Sequence, residues 1–123
     1  MKQWRVDKFG RIYSHTNNLL GRIYASGDVE DQNNIRLGEV DVRGDAWDIM
    51  RNHLGWADSD FKIYDKRHFH IAEITNSGEV VNFAKTTIGV VDISIKGPKT
   101  KAKVRPMYMR AAAAAQLFFH QED

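Results

Sequence analysis

Three histidines and a column of short acids are the residues of this chain best suited to chemistry. His68 and His70 stand two apart, so on a strand they share one face. His53 lies 17 residues before His70, and three imidazoles brought together approach the ligand set of a zinc site. Asp31, Asp48 and Asp65 recur at the same spacing of 17, flanked by Ser14 and Asn82. A ring of such carboxylates would offer oxygen ligands to a hard cation such as Ca²⁺. Together these residues define one reading, a metal-dependent enzyme. The competing reading is structural. Asp, Asn and Ser end strands by accepting backbone N–H groups of the following loop, and the histidines then lie on the surface. Asp41, Asp58 and Asp92 form a second column of the same kind.

Other catalytic patterns are missing. The chain has no cysteine, hence no thiolate, disulfide or Cys-type zinc site. It contains no phosphate-binding Walker loop, no Gly-x-Ser-x-Gly elbow and no His-Glu-x-x-His helix. No catalytic residue, metal ligand or cofactor is therefore assigned. A non-catalytic binding module leads, followed by a structural homo-oligomer and then by the metal-dependent enzyme.

Binding chemistry has two candidate sources. Tyr13, Trp47 and Tyr64 share one repeat column, with Trp4, Tyr24 and Trp56 nearby in the pattern. Such rings stack a base or sugar, anchor at a membrane interface, or simply pack across strands. The second source is a basic connector. Lys96, Lys99, Lys101, Lys103, Arg105 and Arg110 lie in a stretch with no acid. Taking these 6 from the 18 basic residues leaves 12 against 16 acids, a net −4 for the rest. A mildly acidic body with a basic connector disfavours a nucleic-acid coat and leaves an anionic lipid surface as the candidate partner. The small ligand, if there is one, is unknown.

The element that must position these residues is a repeat. LLGRI (19–23), RLGEV (36–40), HLGWA (53–57), HIAEI (70–74) and TIGVV (87–91) follow one another at intervals of 17. Counted in units from Gly10, position 1 reads Gly10, Gly27, Gly44, Phe61, Gly78. Position 3 is apolar in every unit: Ile12, Val29, Ala46, Ile63, Val80. Position 11 is Leu or Ile, position 12 reads Gly21, Gly38, Gly55, Ala72, Gly89, and position 14 is again apolar. A fixed period of this kind dictates the fold. Seventeen residues hold two short strands, and Ser-Gly and Arg-Gly steps mark the turns between units. Four strong hairpins follow, at about 20–32, 37–49, 54–66 and 71–83. A first strand near 10–14 and a last near 87–95 remain, and pairing them closes the ring and removes its edges. The position-12 glycines either bend the strand as bulges or clear one interior layer for another element.

That other element is supplied after Gly97-Pro98. The segment PMYMRAAAAAQLFFHQED combines Pro106, suited to a first helical turn, with an alanine run of the highest helix propensity. On a helical wheel Met107, Tyr108, Ala111, Ala112, Ala115, Phe118 and Phe119 form an apolar stripe, with Arg110, Gln116, His120 and Gln121 opposite. The slim stripe suits a plug for the barrel, an oligomer interface, or a helix lying in a membrane plane.

Leu20-Gly21-Arg22-Ile23, Leu37-Gly38-Glu39-Val40 and Ile88-Gly89-Val90-Val91, with turns at Gly27, Gly44 and Gly78, resemble the four-fold β-flower family of small bacterial domains. The likeness covers about residues 9–97. It implies a shallow symmetric barrel whose hairpins are petals. More remotely it is similar to tubby-like domains, closed barrels around an apolar helix, some of which bind phosphoinositides. It transfers no functional residue.

The expected organisation is an all-β shallow closed barrel of 17-residue repeats over 1–97, a connector over 98–105, and one C-terminal helix over 106–121. No apolar run reaches the length of a membrane span and the N-terminal residues lack a secretory signal. The expected location is the cytoplasm, with peripheral contact at a membrane.

Overall fold

The computed structural model describes residues 3–92 and 104–120, with helix side chains from Ala112 onward. Eleven strands form a closed barrel: β1 (Trp4–Val6), β2 (Arg11–Tyr13), β3 (Leu19–Ile23), β4 (Asp28–Asp31), β5 (Arg36–Val40), β6 (Asp45–Asp48), β7 (His53–Ala57), β8 (Lys62–Asp65), β9 (His70–Ile74), β10 (Glu79–Asn82) and β11 (Thr87–Val91). One helix follows, α1 (Val104–Phe119). Each unit contributes a short strand, a loop, a five-residue strand and a turn. The four expected hairpins are β3–β4, β5–β6, β7–β8 and β9–β10.

Closure differs from the expected pairing of the strand near 10–14 with the last strand. β1 inserts between them, antiparallel to β2 and parallel to β11. An eleventh strand makes the number odd, and an alternating ring of odd number must contain one parallel pair. The register explains why this seam is acceptable. Trp4, Arg5 and Val6 face Gly89, Val90 and Val91, each 85 residues on, which is five repeats. β1 thus occupies the place of a unit's second strand, with Trp4 where four of the five units carry glycine.

Position 12 answers both of its readings. In each within-unit hairpin the register slips by one residue, as between Ile12↔Gly21 and Tyr13↔Leu19, so Leu20 is the extra residue of a bulge. The slip recurs at Leu37, Leu54, Ile71 and Ile88. The glycine beside each bulge also clears the interior. A Cβ on Gly21 would run into the His120 imidazole, one on Gly38 into the Phe119 ring, one on Gly55 into Phe118 and one on Gly89 into Trp4. Three consecutive residues at the end of α1, with Trp4, therefore occupy the four places the glycines leave open.

The helix is the plug. It packs against β1, β3, β5, β7, β9 and β11, which are the strands that carry the position-12 layer, and against β6. Ala112 to Ala115 are all fully buried, which requires wall on every side of the helix. Below the glycine layer, Ile12, Val29, Ala46, Ile63 and Val80 meet Val6, Ile23, Val40, Ala57, Ile74 and Val91 in one apolar core. The expected polar face is corrected here. Gln116 and His120 are buried at 3% and 7% exposure rather than turned to water, because a helix inside a barrel has no outer face. The helix also begins at Val104, two residues inside the expected connector, which places Pro106 in the first turn where its missing N–H costs nothing. Lys96, Lys99, Lys101 and Lys103 lie outside the described residues, as do the side chains of Arg105, Met107 and Tyr108.

The five within-unit loops are copies of one another. In each, the residue at position 8 takes a left-handed conformation: Asn17, Asn34, Arg51, His68 and Lys85, with φ between 64° and 70°. Asparagine adopts this region readily and lysine only at a cost. Lys85 has an exposed side chain whose only long-range tie recorded is a 3.5 Å contact to Glu73, a surface pair of small value. Lys85→Gly is therefore expected to raise stability by roughly 0.5 kcal/mol. A urea midpoint below that of the parent would show that the Glu73 contact outweighs the backbone strain.

Candidate functional site

The two ends of the barrel differ in chemistry. One rim is made by the turns between units, residues 7–10, 24–27, 41–44, 58–61 and 75–78. It holds Asp7, Asp41, Asp58 and Asp60 against Lys8 and Arg43. The other rim is made by the within-unit loops, whose tips are residues 15–18, 32–35, 49–52, 66–69 and 83–86. Those tips hold Arg51, Lys66, Arg67 and Lys85, two histidines and no acid. They also carry Ile35, Ile49, Met50, Phe69 and Phe83 as exposed side chains, Met50 at 77% and Phe83 at 83%. Leu19 stands exposed at the base of the same rim. Six large apolar side chains around one basic end form an apolar concentration of the kind that marks an interaction surface.

The acids closest to this rim are engaged in holding its loops. Asp31 Oδ1 accepts the N–H groups of Asn33 and Ile35. Asp48 does the same for Met50 and Asn52, and Asp65 for Arg67 and Phe69. Ser14 and Asn82 brace their loops in the same way. At Asp48 the bonds from Asn52 and Met50 hold the carboxyl below its ordinary pKa. The second column, represented by Asp41 and Asp58, ties the turns of the opposite rim. The Asp columns therefore act as loop braces, and the glycine turns Gly10, Gly27, Gly44 and Gly78 take positive φ beside them. Among the described residues no group of three or more His, Asp or Glu is placed to hold a metal.

The aromatic column is brought together in part. On the outer wall Trp47 meets His53 at 4.8 Å, His53 stacks on Trp56 at 5.9 Å, and Trp56 stacks on Tyr64 at 5.0 Å. His68 lies edge-on to Trp56, and His70 continues the strip beside Tyr64. Tyr13 does not belong to it. Its ring lies on β2 under the Arg5 guanidinium, 4.0 Å away. Trp47 and His53 are tied down by Asp41 and Asp45. The strip packs side chains across strands, and His68 links it to the loop rim.

Inside the same end sits a polar pair. Gln116 Oε1 and His120 Nε2, one helical turn apart, are buried without a hydrogen-bond partner. Burial pushes the His120 imidazole below its usual pKa, against the opposing pull of Asp31. The neutral form is thus favoured in the fold, and the unfolded chain binds more protons in acid. Stability contributed by this site is present above the ordinary histidine range and is lost as pH falls through it. Melting temperature is expected to drop between about pH 7.5 and about pH 5.5, and to drop less in His120→Gln. Equal slopes for parent and variant would remove His120 as the source of the pH dependence.

Sequence reasoning missed the apolar loop tips. They occupy positions 6, 7 and 9 of the unit, where no residue type recurs, so a search of repeated columns passes over them. The signal available was an apolar residue inside a loop already bracketed by Asp and a strand start. No protein-family model, curated protein or solved structure matches the chain.

Proposed function

We propose that this chain is a non-catalytic binding module that docks on an anionic membrane surface through its loop rim. The observation that carries the reading is the rim itself: five loop tips with exposed Ile35, Ile49, Met50, Phe69 and Phe83, four Lys or Arg, and no acid. Apolar side chains of this size enter the headgroup boundary, while the cations meet anionic lipid. The opposite rim, with more acids than bases, would be repelled, so the two ends give the barrel one orientation. The basic connector over 98–105 would add to the same attraction. Membership of the β-flower family belongs to this reading and rests on the repeated Leu-Gly phrases and the closed ring.

Vesicles of mixed neutral and anionic phospholipid test it by co-sedimentation. The parent is expected to sediment with them at low salt and to be released as salt screens the cations. Met50→Asp with Phe69→Asp and Phe83→Asp is expected to abolish sedimentation at an unchanged melting temperature, because all three side chains are exposed. Absence of binding by the parent at low salt would sink the proposal. Loss of mass by the triple variant in solution would instead make the rim an interface between copies of the chain.

A further inference from the structure

The loop rim has an opening at its edge. A cleft of about 350 Å³ lies between the bulge residues of β7 and β9 and the end of α1. Leu54 and Ile71 form one wall, and Leu117 and Phe118 the other. All four side chains are half-buried, so the apolar part of the cleft is reachable, and Asp65, Lys66 and Arg67 make the rest of its lining polar. Lys66 and Arg67 stand at its mouth on an exposed loop tip. Asp65, the one acid there, spends Oδ1 on the N–H groups of Arg67 and Phe69. Its volume falls at the small end of ligand pockets, which run from roughly 300 to 1,000 Å³.

The geometry points to this cleft as a binding site for the acyl chain of an anionic single-chain lipid. The inference deepens the rim reading and rests on it for the origin of the ligand. An apolar slot takes a methylene chain without unpaired polar groups, and two cations at its mouth take a carboxylate or phosphate head. The repeat explains why the slot occurs here. Position 11 is Leu or Ile in every unit, but the plug ends on Gly55 with Phe118 and on Gly38 with Phe119. The seam between the plug and the β7–β9 wall is where the bulge side chains and the helix end share an open boundary. Lys66-Arg67 is also the only adjacent pair of cations among the five loop tips.

Dodecanoate, titrated below its micelle concentration into the isotopically labelled full chain, is the probe. Saturable shifts confined to Leu54, Ile71, Leu117 and Phe118 are expected, with no such shifts from dodecyltrimethylammonium. Absence of a saturable shift, or equal binding of the cationic amphiphile, would overturn the inference. Ile71→Trp fills the slot and is expected to abolish dodecanoate binding while leaving vesicle co-sedimentation intact; undiminished binding would overturn the site. Should that variant melt early, Lys66→Gln with Arg67→Gln decides, since both side chains are exposed. About tenfold weaker dodecanoate binding is expected from it, and an unchanged affinity overturns the inference. A parent that binds dodecanoate but not vesicles would remove the rim reading and keep the cleft.

Discussion

Gly38→Val is expected to lower the melting temperature by on the order of 10 °C or more, and Arg36→Val on the same strand by far less. The difference lies in what each side chain meets. A Cβ at Gly38 would stand 2.7 Å from Cε1 of Phe119 and closer still to the carbonyl oxygen of Trp47. The first contact forces the plug outward. The second presses on a backbone already committed to the β5–β6 ladder, which has little freedom to give. Overpacking of a core costs roughly 1–3 kcal/mol, and a backbone contact adds to it. Against a total stability of about 5–15 kcal/mol this is a large fraction. Arg36, by contrast, lies on the outer face with nearly half its side chain exposed, and its ties are surface ion pairs to Asp28 and Glu39. Thermal melts of the two variants side by side provide the check. Equal melting temperatures would contradict the placement of the glycine layer inside the barrel.

Much of this architecture was legible from spacing alone. A repeat of 17 with alternating apolar residues allows few closed arrangements, and the all-β barrel with one C-terminal helix follows from it. The Asp columns were legible as well, because an acid at a strand end followed by a loop has one common use, and Asp31, Asp48 and Asp65 have that use here. Three features were not. Trp4-Arg5-Val6 is a strand of three residues, too short to show a period, and its parallel pairing with β11 depends on ring closure rather than on local pattern. Gln116 and His120 were placed on a polar face, since a wheel shows which residues share a side and not whether the surroundings are water or wall. The apolar loop tips escaped for a related reason. Local propensity treats Phe83 or Met50 as a residue in search of a core, and only the folded ring reveals that five such side chains, on four tips, emerge at one end.

The third unit shows how departures from the repeat carry information. Ala46 and Ala57 replace the larger residues found at the equivalent positions of the other units. The helix packs against β5, β6 and β7, the strands on and beside these small side chains. Loss of wall volume thus falls on β6 and β7, two of the strands the helix packs against. A symmetric ring cannot enclose a helix evenly, because the helix presents Phe118 and Phe119 on one flank and alanine on another. The glycines clear the space where the large rings fall, Gly55 for Phe118 and Gly38 for Phe119.

Phe118→Asp with Phe119→Asp is the change expected to do most damage to the plug. Both rings are partly buried against the core cluster, Phe118 on Gly55 and Phe119 on Gly38. Each contributes roughly 1.5–3 kcal/mol of burial, scaled down for the part of the ring that remains exposed. The variant loses that and adds two carboxylates facing an apolar interior, where an uncompensated charge is costly. The four buried alanines cannot hold the helix by themselves, since a methyl group supplies little apolar area. The expected outcome is a barrel that melts far lower at unchanged mass, measured by circular dichroism and by sedimentation of the same samples. The wall is then expected to be open, because the position-12 layer has no side chains of its own to fill the space. Reduced mass with an unchanged melting temperature would make the stripe an oligomer interface. Retention of both would mean that residues 117–120 do not seal the barrel, and that the glycines serve the bulges alone.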